Sequence, residues 1–199
     1  MSNITIISNY YPPEIGAASN RIYNMAQAFK QADFDVNVIC PIPNYPKGKI
    51  FDGYKMKFFK KESFQGISIN RLFIYPTNSK SSFKRILSML SFAISLWLII
   101  FNRKLIKNSE TILIQNSPLL VSFSSLLLFK FLLKRKVILN VSDLWPKSAV
   151  DIGLIKPGLV LNLLQKIEIF NYKNSDKILC QSEEIETFIL NKIKKDSFI

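Results

Sequence analysis

Histidine is absent from this chain of 199 residues, which removes the commonest general base and a common ligand for metal ions. Cysteine is nearly absent too: Cys40 and Cys180 each end an apolar, strand-like segment. A zinc site is therefore not expected. The two cysteines are most simply free thiols of a cytosolic protein, with a structural disulfide as the alternative. Any general base must be a carboxylate, and the chain has 14 acidic residues.

Glycine is scarce as well, with six residues, and none of them forms the spacing of a dinucleotide-binding loop or a P-loop. This argues against a nucleotide-binding oxidoreductase. No secretory signal is visible, because the N-terminus enters a strand with no basic segment before it. The 48% share of apolar residues excludes a disordered chain. The length suits a single domain with a substantial core.

Positive charge is abundant, with 27 lysines and arginines against 14 acids and a net charge of +13. Such an excess favours an anionic partner, whether nucleic acid, anionic lipid or a phosphate-bearing substrate. Nucleic acid is not the expected partner, because no nucleic-acid-binding motif is recognisable. Six of the lysines lie between Lys47 and Lys61. That segment is either a solvated loop or hairpin, or a patch for anionic headgroups or a pyrophosphate.

Apolar strand-like segments alternate with helical periodicity along the chain. This alternation predicts an α/β fold, a Rossmann-like open and mostly parallel sheet with helices on both faces. The predicted strands are Ile4–Ile7, Val36–Cys40, Gly66–Tyr75, Thr111–Gln115, Val137–Val141 and Lys177–Gln181. The predicted helices are a first one ending near Ala32, then Ser81–Phe101, Leu119–Leu133, Ser148–Asp151, Pro157–Lys173 and Glu183–Lys192.

One predicted helix contains an uncharged segment, Ile86–Asn102, that lies at the lower limit of length for a membrane span. Cationic residues flank both of its ends, so the charge asymmetry of a true span is missing. Three interpretations stay open. The helix is buried in the domain, with or without an exposed apolar face, it lies in a membrane interface, or it spans the bilayer.

The candidate binding residues lie in loops that follow four strands. In an open α/β sheet such loops gather at the carboxyl edge, where ligands bind. The opening loop, Tyr10–Ala18, leads into a helix whose free N–H groups suit a phosphate or a sugar hydroxyl. We expect Ser19 or Asn20 to cap that helix. A βα turn without a ligand is the alternative. The other loops are Pro41–Gly48, Asn116–Pro118 and Ser142–Pro146.

Three side chains of these loops have specific chemistry. Asp143 follows an apolar strand. Its carboxylate either accepts a hydrogen bond from a sugar hydroxyl or acts as a base, or it caps the turn that follows. Glu14 either contacts a ligand or is a solvated loop acid. Trp145 either stacks on a sugar ring or packs in the core.

Four motifs together resemble a known family. They are Tyr-Tyr-Pro-Pro-Glu-Ile-Gly-Ala-Ala (Tyr10–Ala18), Pro-Asn-Tyr-Pro-Lys-Gly (Pro43–Gly48), Asn-Ser-Pro (Asn116–Pro118) and Asp-Leu-Trp-Pro (Asp143–Pro146). The sequence looks like the N-terminal half of retaining family 4 glycosyltransferases. It is most similar to bacterial enzymes that build O-antigen or capsule, including N-acetyl-L-fucosamine transferases. The resemblance covers essentially the whole chain.

The resemblance implies a GT-B fold, in which the active site lies between two Rossmann-like domains. Residues 1–199 would be the acceptor-side domain, and the donor-binding domain would be absent. Asp143 would be catalytic, although Ser142 stands where the family often has histidine, which puts histidine-dependent activation in doubt. The implied substrate-binding residues are Glu14, Ile15, Gly16, Ala17, Asn116, Ser117 and Trp145. No metal or other cofactor is implied.

The function implied is the acceptor-binding half of an enzyme that moves a sugar from a nucleotide sugar to a lipid-linked or polysaccharide acceptor. The acceptor would be an undecaprenyl-diphosphate-linked sugar or a glycan, and the nucleotide sugar would bind mainly through the absent domain. The protein would lie in the cytoplasm on the inner face of the cell membrane. On its own the chain is not expected to transfer sugar. The alternative is a non-catalytic membrane-associated binding module or an inactive truncated fragment.

Overall fold

A computed structural model describes residues 2–79, 81–102, 109–151, 153 and 155–196. Its contacts divide the chain into two compact units, Met1–Leu113 and Ile114–Ile199, which we call unit 1 and unit 2. Seven strands form a sheet in the order β3-β4-β2-β1-β5-β6-β7, and the boundary between the units falls within β5 (Thr111–Gln115). The predicted α/β class with a mostly parallel, Rossmann-like sheet is confirmed.

Unit 1 begins with parallel strands joined by a helix. Its elements are β1 (Asn3–Ile7), α1 (Ala17–Gln31), β2 (Asp35–Pro41), β3 (Phe59–Phe64), β4 (Ile67–Leu72) and α2 (Ser82–Ser95), the last continued by a 3₁₀ helix over Leu96–Phe101. Strand β2 pairs in parallel with both β1 and β4. Most residues of these three strands are buried, as expected for strands covered on both faces.

The lysine-rich segment contains a strand that belongs to a hairpin. Strand β3 pairs antiparallel with β4 through a two-residue turn at Gln65 and Gly66, both with positive φ. Two positive φ angles are typical of the tight turns that match the twist of a hairpin. The predicted hairpin is therefore confirmed for the end of this segment, and the patch for anionic groups stays a prediction. The strand predicted to extend to Tyr75 ends at Leu72.

The apolar helix has a buried face and an exposed face. On the buried side, Ser91 Oγ accepts the Tyr75 N–H at 2.7 Å and Ser95 Oγ donates to the Phe73 carbonyl at 2.8 Å. The 19 residues from Phe83 to Phe101 are long and apolar enough to cross a membrane, and 28% of that window is buried. The structure shows a helix of the domain with one buried face and one exposed apolar face, which the first interpretation allowed, and the two membrane interpretations stay predictions. The exposed face carries Phe83, Ile86, Leu87, Leu90, Ile94, Leu98 and Phe101.

Unit 2 continues the alternation. After β5 come α3 (Leu119–Ser125), a π-helix over Leu126–Leu132, β6 (Lys136–Val141), α4 (Lys147–Asp151), α5 (Leu159–Asn174), β7 (Lys177–Cys180) and α6 (Glu183–Asp196). Strand β6 pairs in parallel with β7. The single helix predicted over Leu119–Leu133 thus changes its hydrogen-bond pattern at Leu126.

Two predictions about helix ends are corrected. Pro157 does not lie in the first turn of α5, because Gly158 is the N-cap and the helix begins at Leu159. Neither Ser19 nor Asn20 caps α1, since the N-cap is Gly16 and no side chain caps the helix. Ser19 instead lies buried inside the helix. Ser182, in contrast, does accept the N–H of Ile185 at the start of α6, as the capping pattern predicts.

A buried ion pair joins α5 and α6 in unit 2. The fully buried carboxylate of Glu168 accepts a hydrogen bond from Tyr172 Oη at 3.0 Å and another from Lys192 Nζ. Burial raises the pKa of Glu168, and the bonds from Lys192 and Tyr172 oppose that rise. The lysine therefore compensates a charge that water does not reach.

Replacing Lys192 with alanine is expected to lower the free energy of unfolding by roughly 3 kcal/mol, because it leaves the Glu168 carboxylate buried without its cation. Urea unfolding followed by circular dichroism measures the loss. Lys194→Ala is the matched control, since Lys194 is exposed on the same helix. Equal losses in the two variants would contradict this role of the ion pair.

Candidate functional site

The opening loop of unit 1 is folded back on the loop that follows β2. Ser8 Oγ accepts the Tyr10 N–H at 3.1 Å and donates to the Tyr10 carbonyl at 2.6 Å. The Tyr10 ring meets the Tyr45 ring edge to face, with centroids 5.2 Å apart. A Cβ added at Gly16 would come within 3.3 Å of the Tyr45 ring. The small residue at position 16 therefore makes room for Tyr45.

The Glu14 carboxylate joins these two loops. Its Oε1 atom accepts the N–H of Asn44 at 2.7 Å and the N–H of Tyr45 at 2.8 Å. Burial raises the pKa of Glu14, while the backbone N–H groups and the Arg71 charge lower it by less. The interpretation of Glu14 as a solvated loop acid is therefore wrong. The prediction that it binds substrate stays a prediction.

A second buried charge lies below the opening loop. The Arg71 guanidinium donates to the Pro12 carbonyl through Nη2 and to Glu62 through Nε. Burial by itself would raise the pKa of Glu62, but hydrogen bonds from Lys60 and Arg71 outweigh it and hold that pKa below its usual value. Arg71 thus connects β4, the hairpin and the opening loop.

The other predicted residues of this loop differ in accessibility. Ile15 is strongly exposed, Gly16 is half-buried and Ala17 is the exposed first residue of α1. Unit 1 therefore exposes an apolar side chain and the start of a helix, in a loop that the buried Glu14 fixes in place. This arrangement is compatible with the predicted contact to a phosphate or sugar hydroxyl, because the first N–H groups of a helix lack partners within it.

In unit 2, Asn116 belongs to a buried polar cluster. Its N–H donates to the Asn140 carbonyl at 2.9 Å, and its Oδ1 accepts the Ser122 hydroxyl at 3.0 Å. The Asn171 amide donates to Ser122 Oγ at 2.9 Å. Asn116 thus fixes the loop at the end of β5. Ser117, the next residue, is half-buried and closer to solvent.

Asp143 follows β6 and is exposed. Its Oδ2 atom accepts the hydroxyl of Ser148 at 3.2 Å, and the Ser148 N–H donates to the Leu144 carbonyl. The carboxylate is thus oriented by a side chain of α4 while it stays accessible to a ligand. Trp145 is half-buried, an arrangement that suits either stacking or packing. Asp143 and Trp145 remain predicted site residues.

The buried residues that support these loops were not predicted from the sequence. Arg71 is the one charged residue in the six-residue strand β4, and that single charge in a mostly buried segment was the available signal. Asn171 lies in α5 with no sequence feature that sets it apart. Among the described residues, no three His, Cys, Asp or Glu side chains lie close enough together to hold a metal ion. Both cysteines are free thiols.

Comparison with known proteins places this architecture in a fold class. No protein-family model matches the chain, and no curated protein sequence matches it. Solved structures do match, and the fold that this chain shares with them is one half of a GT-B fold. One is sucrose-phosphate synthase from Thermosynechococcus elongatus, with a TM-score of 0.63, 11% identity and coverage of 96% of this chain and 45% of that chain.

A second match is the catalytic domain of starch synthase IV from Arabidopsis thaliana, bound to ADP and acarbose. Its TM-score is 0.56 at 11% identity, with coverage of 89% of this chain and 44% of that chain. The chain therefore spans less than half the length of both structures. At this identity the likeness concerns the fold.

The Glu14 contacts generate a prediction about stability. Glu14→Ala leaves the N–H groups of Asn44 and Tyr45 without their acceptor, so the free energy of unfolding is expected to fall by roughly 2–4 kcal/mol. Glu14→Gln keeps an Oε1 acceptor in the same place and is expected to cost less than about 1 kcal/mol. Chemical unfolding of the two variants measures the difference. Similar losses in both would show that the carboxylate charge matters more than the acceptor.

The raised pKa of Glu14 predicts a pH dependence. The folded state binds the proton of the Glu14 carboxyl more tightly than the unfolded state does. Protonation of Glu14 therefore stabilises the fold, and this stabilisation is fully present below the pKa of the unfolded state. It is lost as the pH rises through the higher folded pKa. The stability of the parent relative to Glu14→Gln should therefore decrease across that window. Unfolding curves at a series of pH values measure it, and a difference that stays constant or increases with pH would contradict the prediction.

Proposed function

We propose that this chain is the acceptor-side half of a glycosyltransferase. In this proposal the enzyme moves a sugar from a nucleotide sugar to a lipid-linked or polysaccharide acceptor in cell-surface polysaccharide synthesis. The observation that carries the proposal is the exposed Asp143, held in orientation by Ser148 at the carboxyl end of a parallel strand. In an open α/β sheet this edge is where ligands bind. The fold likeness to two sugar-transferring synthases supports the same class of reaction.

We assign to Asp143 the role of accepting a hydrogen bond from a hydroxyl of the acceptor sugar. An exposed carboxylate accepts a hydrogen bond from a sugar hydroxyl and favours transfer of its proton as the new glycosidic bond forms. Trp145 lies two residues further along, and its ring offers an apolar face to a sugar ring. Ile15, Gly16 and Ala17 are assigned to the phosphates or the acceptor, beside the N-terminus of α1. Asn116 fixes the loop that carries Ser117.

The acceptor assigned to the chain is an undecaprenyl-diphosphate-linked sugar, which places the protein on the inner face of the cell membrane. Two features support this part of the proposal. The net charge of +13 favours an anionic surface, and α2 with its 3₁₀ continuation exposes large apolar side chains from Ile86 to Phe101. The nucleotide sugar is assigned to the donor half of the enzyme, and the present chain is assigned at most weak contact with it.

The decisive experiment is titration of the chain with an undecaprenyl-diphosphate-linked N-acetylhexosamine in detergent, followed by calorimetry. The chain is expected to bind this probe, and Asp143→Asn is expected to weaken binding about tenfold. A hydrogen bond to a charged group is worth about 1.5–3 kcal/mol. Asp151→Asn is the matched control, since it removes an equal charge from an exposed residue of the same unit.

Two outcomes would contradict the proposal. The first is that the chain does not bind the probe measurably, or that Asp143→Asn and Asp151→Asn weaken its binding equally. The second is micromolar binding of a nucleotide sugar to this chain, measured with a panel of nucleoside-diphosphate sugars. That result would assign the donor, rather than the acceptor, to these residues.

A further inference from the structure

The turn between β2 and the hairpin of unit 1 exposes two large apolar side chains. Met56 is 99% exposed and Phe58 is 72% exposed. Met56 also has a φ of 58°, a left-handed conformation that is uncommon for a residue with a side chain. The fold therefore holds an apolar side chain outward at some conformational cost, which points to a role outside the core.

The base of this turn is fixed. The Tyr54 hydroxyl lies 3.1 Å from both oxygens of Glu62, and Lys60 Nζ lies 3.9 Å from the centre of the Tyr54 ring. The Phe58 ring contacts the Phe73 ring, with centroids 5.4 Å apart. Because its base is packed, the turn presents Met56 and Phe58 in a defined position.

Positive charge is dense in the part of the chain that contains these two side chains. The segment from Lys47 to Glu62 contains six lysines and two acids. Two of the lysines form ion pairs, Lys55 with Asp52 and Lys60 with Glu62. The remaining four are exposed and form no ion pair with any residue that the structure describes; they are Lys47, Lys49, Lys57 and Lys61. An apolar tip with exposed lysines before and after it in the chain is complementary to an anionic bilayer, whose headgroups attract the lysines and whose interior accepts the tip.

We propose that Met56 and Phe58 insert into the interface of an anionic bilayer while the neighbouring lysines bind its phosphate headgroups. We call residues 54–61 the membrane-contact turn. This inference rests on the proposed membrane association and assigns it a second element, separate in sequence from α2. It commits unit 1 to lipid rather than to a protein partner, because a fixed apolar tip with unpaired lysines on both sides suits a surface of repeated negative headgroups.

The experiment is flotation of the full chain with vesicles of phosphatidylcholine, with and without phosphatidylglycerol. The parent should float only with the anionic vesicles, and less so at high salt. Met56→Ser with Phe58→Ser should reduce the partition coefficient about tenfold or more, since two exposed apolar side chains lose their transfer into lipid. Lys57→Gln with Lys61→Gln should reduce it about fivefold for each lysine.

Matched controls are available in unit 2. Leu159 and Val160 are 88% and 61% exposed, so Leu159→Ser with Val160→Ser removes a similar apolar area. Lys166→Gln with Lys177→Gln removes the same charge from exposed positions. Both pairs should change the partition coefficient less than about twofold. Thermal unfolding of every variant checks that the fold is retained.

A second measurement locates the turn directly. Phe58→Trp places a fluorophore at the tip, and brominated lipid should quench the fluorescence that this variant has in excess of the parent. Absence of that quenching, or equal partition losses in the unit 2 controls, would overturn the assignment. Loss of flotation on Ile94→Ser with Leu98→Ser but not on Met56→Ser with Phe58→Ser would assign the membrane to α2 and reject the turn. Failure of the acceptor titration leaves these lipid results unchanged, so the two proposals fail separately.

Discussion

Buried backbone groups at the ends of strands need hydrogen-bond partners that water does not supply, and this constraint decides how the loops of both units are arranged. In unit 1 the partners are two charged side chains. Glu14 accepts the N–H groups of Asn44 and Tyr45, and Arg71 donates to the Pro12 carbonyl. In unit 2 the same task falls to neutral groups around Asn116. The candidate loops are therefore fixed from below before any ligand arrives.

In both units, the side chains that support the loops differ from the side chains that the loops expose. Glu14 and Asn116 are buried and engaged, whereas Ile15 and Asp143 are exposed. The Glu14 carboxylate binds the backbone of the neighbouring loop and so keeps its own loop in one conformation, which lowers the conformational entropy that the loop would lose on binding a ligand. The proposed acceptor chemistry accordingly rests on Asp143, and the role of Glu14 in this arrangement is to position the loop that carries Ile15 and Gly16.

Unit 1 exposes apolar side chains at its surface in two places. The long apolar helix buries one face against the strand end and exposes the other, and the turn around Met56 exposes apolar side chains among lysines. Isolated apolar residues on a surface need no explanation, but contiguous or charge-flanked ones mark interaction sites. A bilayer satisfies both features together, because it offers negative charge outside and hydrocarbon within. The lipid-linked acceptor that we propose would be found at the surface of such a bilayer.

The sequence by itself determined the order and type of most elements. Thr111–Gln115 is a strand as predicted, because a strand covered on both faces requires a continuous apolar segment. Residue chemistry also located Asp143 at a strand end. Only the tertiary structure decided that Glu14 is buried, that Arg71 supports the opening loop and that α2 exposes an apolar face. The first two facts depend on contacts between residues some 30 to 60 positions apart, and no local pattern of the chain records which distant backbone groups a side chain will meet.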